Sequence, residues 1–472
     1  MHRRTIFNGR TDAVTPVLRP YQNSIKLDAQ IAFEFTSDKV LLVLSTGGGK
    51  TIVFSSVVAE ELGVVWVIAH RQELIKQASE TLHRFGIDHG TVKAGCPFQP
   101  EKRVQVASMQ TLVRRAAGMP TPRLIILDEA HHCLCASVEK ILAAAPQARV
   151  LGVTATPCRL NGQGLGAVFQ QMILGPANKW LTENGFLSPA HYYAPPPKVD
   201  VSSLPVRGGD YAKEAAEKVM DKPTVTGNAV EHYRTICDGV PMLVFCVSVK
   251  HAQHVAAEYV AAGYRAASVD GSLTDEERND RIKGLASGKY QVITSCDLIG
   301  EGLDVPIVGA VQLLRPTASL GLHLQQIGRG LRPAEGKQVC FVLDHVGNVQ
   351  KHGFASTEHP WSLTGTVKSK KEKAESVRTC GECFMVHETS KTCPFCGYLY
   401  PVKSKLLTKM EVVDGKLVRL DETKEERAEE MRSAKSMPEL IAFAKSRGYK
   451  SPHFWAKKVH GGRNYVGYLP RA

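Results

Sequence analysis

The stretch Ser45-Thr46-Gly47-Gly48-Gly49-Lys50-Thr51 has the residue types of a phosphate cradle. Glycines let backbone N–H groups approach phosphate oxygens, and a helix starting at such a loop adds the positive end of its dipole. Lys50 would supply charge to β- and γ-phosphates, and the Thr51 hydroxyl a ligand for Mg²⁺. The strict form of this loop has glycine five places before Gly49, where this chain has Leu44. Further on, the apolar run Leu124-Ile125-Ile126-Leu127 delivers Asp128 and Glu129 at its end. Asp128 suits Mg²⁺, often through water, and Glu129 suits orienting and deprotonating an attacking water. A third constellation is the two C-x-x-C pairs Cys380/Cys383 and Cys393/Cys396. Four such thiolates can surround one Zn²⁺ tetrahedrally, the competing uses being a disulfide or a redox pair. So short a segment cannot hold a core without metal, so the zinc is expected to be structural. His131, His132, Cys133 and Cys135 crowd one segment, a spacing that rarely converges on a metal. The scattered Cys96, Cys158, Cys237, Cys246, Cys296 and Cys340 read as small core residues.

Regular elements must carry these groups. Short β-branched runs at 40–44, 64–69, 103–107, 124–127 and 150–153 alternate with helical spacing at 51–62, 72–85 and 137–145. This rhythm predicts βαβ units, a parallel sheet with helices on both faces. The cradle then lies at a strand–helix junction, and the two carboxylates at the same sheet edge, where ligands of open parallel sheets bind. Between 180 and 239 turn signals dominate, including Pro195-Pro196-Pro197 and Gly208-Gly209, around one charged helical stretch at 211–220. That segment reads as a connector. A second rhythm follows, with strands at 242–247, 266–269, 291–294, 310–314 and 339–343 and helices near 251–262, 275–285 and 322–327. After Gly353 it stops.

The order Gly-Gly-Gly-Lys-Thr, Asp-Glu-Ala-His, then Thr154-Ala155-Thr156 resembles a superfamily 2 helicase of the DEAD/DEAH-box type. More specifically, it is similar to the restriction-subunit-like DEAH helicases of bacteria and phages, over roughly residues 18–353. The resemblance implies an α/β protein of two tandem RecA-like parallel-sheet lobes, with ATP and Mg²⁺ in the cleft between them. Leu18-Arg19-Pro20-Tyr21-Gln22 resembles the adenine-recognising segment, which makes Arg19 and Gln22 the base contacts. His70 and Arg71, and then Gln110 and Thr111, fall in motifs that face the nucleic-acid backbone. Thr294 lies in the fifth motif, where Asp304 would face the ribose. Gln325-Gln326-Ile327-Gly328-Arg329-Gly330-Leu331-Arg332 matches the sixth motif, and His131, Thr154 and Thr156 would couple the cleft to movement. Charge spread over γ-phosphate oxygens in the transition state is stabilised by guanidinium groups. Arg329 and Arg332 would thus complete, from lobe two, a site begun by Lys50 and Glu129 in lobe one.

The expected layout is an ATP-binding lobe at 1–180, a connector at 181–239, a second lobe at 240–353 and a linker at 354–379. A zinc ribbon at 380–400, a charged linker at 401–436 and a basic aromatic segment at 437–472 follow.

The chain has 472 residues, 43% hydrophobic and 22% charged, which is ordinary for a globular protein and too long for one core. No apolar run reaches the ~18 residues a membrane span needs, and the start lacks a signal-like apolar segment. Twelve cysteines are too sparse for a disulfide scaffold, so an intracellular, reducing compartment is expected, and the resemblance implies a bacterial or phage-infected cytoplasm. The net charge of +13 favours a polyanionic partner. From Glu439 onward seven Lys or Arg stand against one acid, interleaved with Phe443, Tyr449, Phe454, Trp455, Tyr465 and Tyr468. That pattern fits either a nucleic-acid surface or a small helical unit with an aromatic core. The expected function is an ATP-dependent DNA helicase or translocase with sequence-independent binding, tracking 3′→5′ as the resemblance implies. An RNA-dependent helicase and an ATP-driven binding switch without processive movement are the rivals.

Overall fold

The computed structural model describes residues 16–194, 201, 203–221, 223–297, 305–365, 377–400, 430–431, 433–434, 436–446, 449 and 451–463. The chain divides into two compact units, 1–400 and 401–472.

Within the first unit, lobe one runs α1 (Pro20–Phe35), β1 (Lys39–Val43), α2 (Lys50–Glu60), β2 (Val65–Ala69), α3 (Gln72–Arg84), β3 (His89–Val92), β4 (Val104–Ser108), α4 (Met109–Arg115), β5 (Leu124–Asp128), α5 (Ala136–Ala144), β6 (Arg149–Thr154), β7 (Gln171–Leu174) and α6 (Asn178–Glu183). Its seven strands are ordered β3-β4-β2-β5-β6-β1-β7 and all pair in parallel. The middle strands are buried on both faces, which is why they read as unbroken apolar runs rather than alternating ones.

Lobe two is assembled from β8 (Ala190–Tyr193), the hairpin of β9 (Val206–Arg207) and β10 (Asp210–Tyr211), α7 (Lys213–Met220), α8 (Pro223–Cys237), β11 (Met242–Phe245), α9 (Val249–Ala261), β12 (Ala266–Val269), α10 (Asp275–Ala286), β13 (Val292–Ser295), β14 (Ala310–Leu313), α11 (Leu320–Gly328), β15 (Cys340–Asp344) and α12 (Asn348–His352), closed by β16 (Val377–Thr379) and β17 (Met385–Glu388). The sheet order is β12-β13-β11-β14-β15-β8-β17-β16, with the last two strands antiparallel. The segment read as a connector therefore supplies a strand of the second sheet. Ala190 pairs with Cys340, a partner far along the chain that local pattern cannot announce. The cysteine ribbon is likewise not a separate bead, since its β17 covers the edge of β8, an edge that would otherwise invite foreign pairing.

The expected linker from 354 begins as a packed strap. Trp361 and Leu363 lie against the apolar cluster of lobe one, and Leu363 O accepts from Gly166 N at 2.8 Å. A Cβ at Gly164 would sit 2.2 Å from the Leu363 oxygen, so glycine is required for this approach. In the second unit, helices Met437–Ser446 and Pro452–Arg463 pack around Leu440, Ala444 and Ala456. Trp455 stacks on Phe443 and Tyr449, at centroid distances of 5.6 and 4.9 Å; Phe443 is buried, Tyr449 and Trp455 are half-buried, and Phe454 is exposed. Tyr465 and Tyr468 lie outside the described residues. No described helix is long and apolar enough to cross a membrane.

Candidate functional site

The glycine cradle joins β1 to α2, as its composition requires. Gly47 and Gly49 both adopt φ of +88°, a region costly for any side chain. Gly49 is the N-cap of α2, so Lys50 and Thr51 open the helix. The loop is held from behind by α1. Tyr21 Oη and Gln22 Nε2 both donate to Gly48 O, at 2.8 and 3.0 Å. Arg19 N donates to Gln22 Oε1 at 2.9 Å, and the Arg19 guanidinium lies over the Phe186 ring at 4.9 Å. Gln22 is thus buried against the loop, and Arg19 is turned toward an aromatic cluster that includes Tyr21 and Trp180.

Asp128 ends β5, and its Oδ1 accepts from Glu129 N at 3.0 Å. Glu129 has φ +48°, an uncommon conformation for a residue with a side chain and one that recurs at functional sites. This backbone turn brings the Glu129 carboxylate to 3.7 Å from Lys50 Nζ and 3.4 Å from His131 Nδ1. The ring of His131 continues the chain of contacts: Nδ1 is 3.1 Å from Thr154 Oγ1, and Nε2 is 3.5 Å from Gln325 Nε2 of lobe two. Thr154 Oγ1 in turn donates to Thr156 O at 3.0 Å. Glu129, His131, Thr154, Thr156 and Gln325 form one buried cluster that spans both lobes.

Lobe two reaches the cradle through α11 and the turn after it. A Cβ at Gly328 would lie 2.5 Å from Thr46 Cβ, so only glycine lets the helix approach this closely. Arg329 caps α11 and is buried, while a Cβ on Gly47 would lie 3.4 Å from Arg332 Cγ. Lys337, which sequence reasoning missed, stitches this turn by donating to the carbonyls of Gly330 and Arg332. Burial pushes its ammonium down to about 8.

His70 and Arg71 lie at the C-terminal end of β2, and Arg71 Nη1 donates to Asp297 O of lobe two at 3.0 Å. Gln110 and Thr111 open α4 with Gln110 exposed. Thr294 is wholly buried in β13, and its hydroxyl donates to Ala252 O at 2.6 Å. Every residue of β13 is buried, as in a strand covered on both faces. Asp304 lies outside the described residues.

The four ribbon thiols converge. Their sulfurs all lie within 4.8 Å of one another, with Cys380–Cys396 at 3.6 Å and Cys383–Cys393 at 3.7 Å. A tetrahedral metal with bonds of ~2.3 Å needs sulfurs roughly 3.8 Å apart, so the donor set fits zinc. Phe384 and Gly397 take positive φ at the turns of the two knuckles.

Comparison with known proteins agrees with this geometry. Residues 15–159 match the family described as Type III restriction enzyme, res subunit, and residues 229–334 match the Helicase conserved C-terminal domain. A protein of a Lactococcus phage (isolate 7-9), named for its mass of 51.5 kDa, is 31% identical over 386 residues, or 79% of this chain and 82% of the relative. IRC3 of Saccharomyces cerevisiae, provisionally named an ATP-dependent helicase, is 28% identical over 70% of this chain. The match spans 52% of IRC3, about half its length. Among solved structures, a fragment assigned provisionally to the HsdR subunit of a type I restriction enzyme from Vibrio vulnificus YJ016 matches with a TM-score of 0.57 at 18% identity. It covers 72% of this chain and 68% of that one, and at this identity the likeness is one of fold.

Proposed function

The chain belongs to the superfamily 2 helicases of the restriction-subunit type and is an ATP-hydrolysing enzyme, and on that premise we propose that it is a DNA-stimulated translocase or helicase. Mg-ATP would bind across the cradle, with Lys50 and the loop amides of Thr46, Gly47, Gly48 and Gly49 on its phosphates. Arg19 and Gln22 would read the base, and Asp304 the ribose. Thr51 and Asp128 would hold Mg²⁺, which supplies charge neutralisation at the β- and γ-phosphates. Glu129 would take the proton of the attacking water, while Arg329 and Arg332 steady the transferring phosphoryl group. The observation that carries this reading is the meeting of both lobes at one loop: Lys50 stands 3.7 Å from Glu129 in lobe one, and α11 of lobe two comes so close that a Cβ at Gly328 would lie 2.5 Å from Thr46 Cβ. Catalysis then depends on how the lobes sit, which is the coupling a motor needs.

Single-stranded or forked DNA would run past His70, Arg71, Gln110 and Thr111. DNA is preferred over RNA because the first lobe matches a restriction-enzyme family. Contacts to the backbone would make binding independent of sequence and steeply salt-dependent. The setting we propose is DNA replication or repair in a bacterial or phage-infected cytoplasm. The test is the ATPase rate with single-stranded, duplex and forked DNA and with RNA, at two salt concentrations. DNA should stimulate severalfold more than RNA, and less at the higher salt. Stronger stimulation by RNA would overturn the DNA assignment, and absent strand displacement would favour an ATP-driven switch.

We further propose that Cys380, Cys383, Cys393 and Cys396 hold one structural Zn²⁺. Because β17 lies between the two knuckles and pairs with β8, loss of the metal should loosen lobe two as well as the ribbon. A strong chelator should release about one zinc per chain and lower the thermal midpoint, since apo ribbons of this size do not fold. A metal-free protein with an unchanged melting curve would count against the site.

A further inference from the structure

We propose that Asp210 is a positioning residue that couples the nucleic-acid motifs to the ATP-site helix, acting from a hairpin wedged between the lobes. The inference rests on the nucleic-acid-stimulated ATPase proposed above.

Gly208 and Gly209, at φ of +61° and +93°, form the tight turn between β9 and β10. Gly209 packs on lobe one so closely that a Cβ there would lie 2.4 Å from the backbone of Asn161. Its neighbour Asp210 turns the other way and is buried in lobe two. One carboxylate oxygen accepts from Thr317 Oγ1 at 2.9 Å and from Ala318 N at 2.7 Å, and the other from Arg315 Nη2 at 3.1 Å. Thr317 and Ala318 lead directly into Ser319, the N-cap of α11. That helix carries Gln325 beside His131 and ends at Arg329.

Arg315 reaches two carboxylates at once. Its other nitrogen bonds the side chain of Asp297, which Lys213 also holds. Burial pushes the Asp297 carboxyl up, but Arg315 and Lys213 outweigh it and keep it below the usual carboxylate range. Asp297 itself adopts φ +63°, and its carbonyl takes the hydrogen bond from Arg71. The contacts therefore run from Arg71 through Asp297 and Arg315 to Asp210, and from Asp210 to the start of α11. A guanidinium fork suits such a bridge, because its planar donors can serve two acceptors in fixed directions. An Arg71 displaced by a bound strand would shift Asp297, and Asp210 would pass that shift to the helix bearing the arginine and glutamine of the ATP site.

Asp210→Asn keeps acceptors for Ala318 and Thr317 but loses the charge that faces Arg315. In the full-length protein its ATPase without nucleic acid should stay within about twofold of wild type, with ATP KM and melting temperature unchanged. Stimulation by single-stranded DNA should fall roughly tenfold, a loss of coupling of the usual allosteric size. Arg315→Lys, which keeps the charge but not the fork, should lose stimulation in the same way. A stimulated wild type with equally stimulated Asp210→Asn and Arg315→Lys variants overturns this proposal alone. A wild type indifferent to DNA and RNA overturns the function on which it rests, and the proposal with it.

Discussion

Replacing Glu129 with glutamine should leave ATP binding intact and lower turnover at least about a hundredfold, the range a general base contributes. The left-handed backbone at Glu129 and the buried neighbours Lys50 and His131 hold the carboxylate in place. Glutamine has the same shape and fits the same cluster, so the variant isolates the loss of a proton acceptor. The cradle and its supports from Tyr21 and Gln22 are untouched, which is why binding should survive. Nucleotide affinity by fluorescence titration and phosphate release at steady state separate the two effects. Turnover within tenfold of wild type would remove Glu129 from the role of base.

Arg332→Ala should likewise bind ATP and hydrolyse it poorly, with a fall in turnover of about 10³-fold, the low end of what an arginine finger supplies. Its Cγ lies where a Cβ on Gly47 would be 3.4 Å away, while Lys337 anchors the turn that carries it by donating to the carbonyls of Gly330 and Arg332. Truncation to alanine leaves those backbone bonds in place and removes only the side chain. The guanidinium acts on charge that develops in the transition state, so ground-state affinity should change little. A large rise in ATP Kd with normal turnover at saturation would recast Arg332 as a binding residue.

Several groups of this site were legible because their chemistry is local. A phosphate cradle needs consecutive residues at a strand–helix junction, and β1 and α2 meet at Gly49 as the glycines and apolar runs require. The carboxylates follow from the same rule at the end of β5. Paired cysteine knuckles are local too, and their sulfurs do converge. Arg329 and Arg332 were reached through a family resemblance, and the close packing of Gly328 on Thr46 is its physical counterpart.

What the tertiary structure decided involves partners far apart in the chain. Ala190–Tyr193 joins the second sheet because Cys340–Asp344 offers it an edge, and the ribbon then closes β8 in turn. Thr294 lies in a strand buried along its whole length, where its hydroxyl bonds Ala252 O, a partner forty-two residues back in the chain. The tail's Phe443, Tyr449 and Trp455 suited either stacking on bases or stacking on one another, and the pairing of the two helices stacks them on one another. Asp210, in a turn-rich stretch, carried no signal of its own. Its place was set by Arg315, Thr317 and Ala318, about a hundred residues downstream, because a buried carboxylate is stable only where donors surround it.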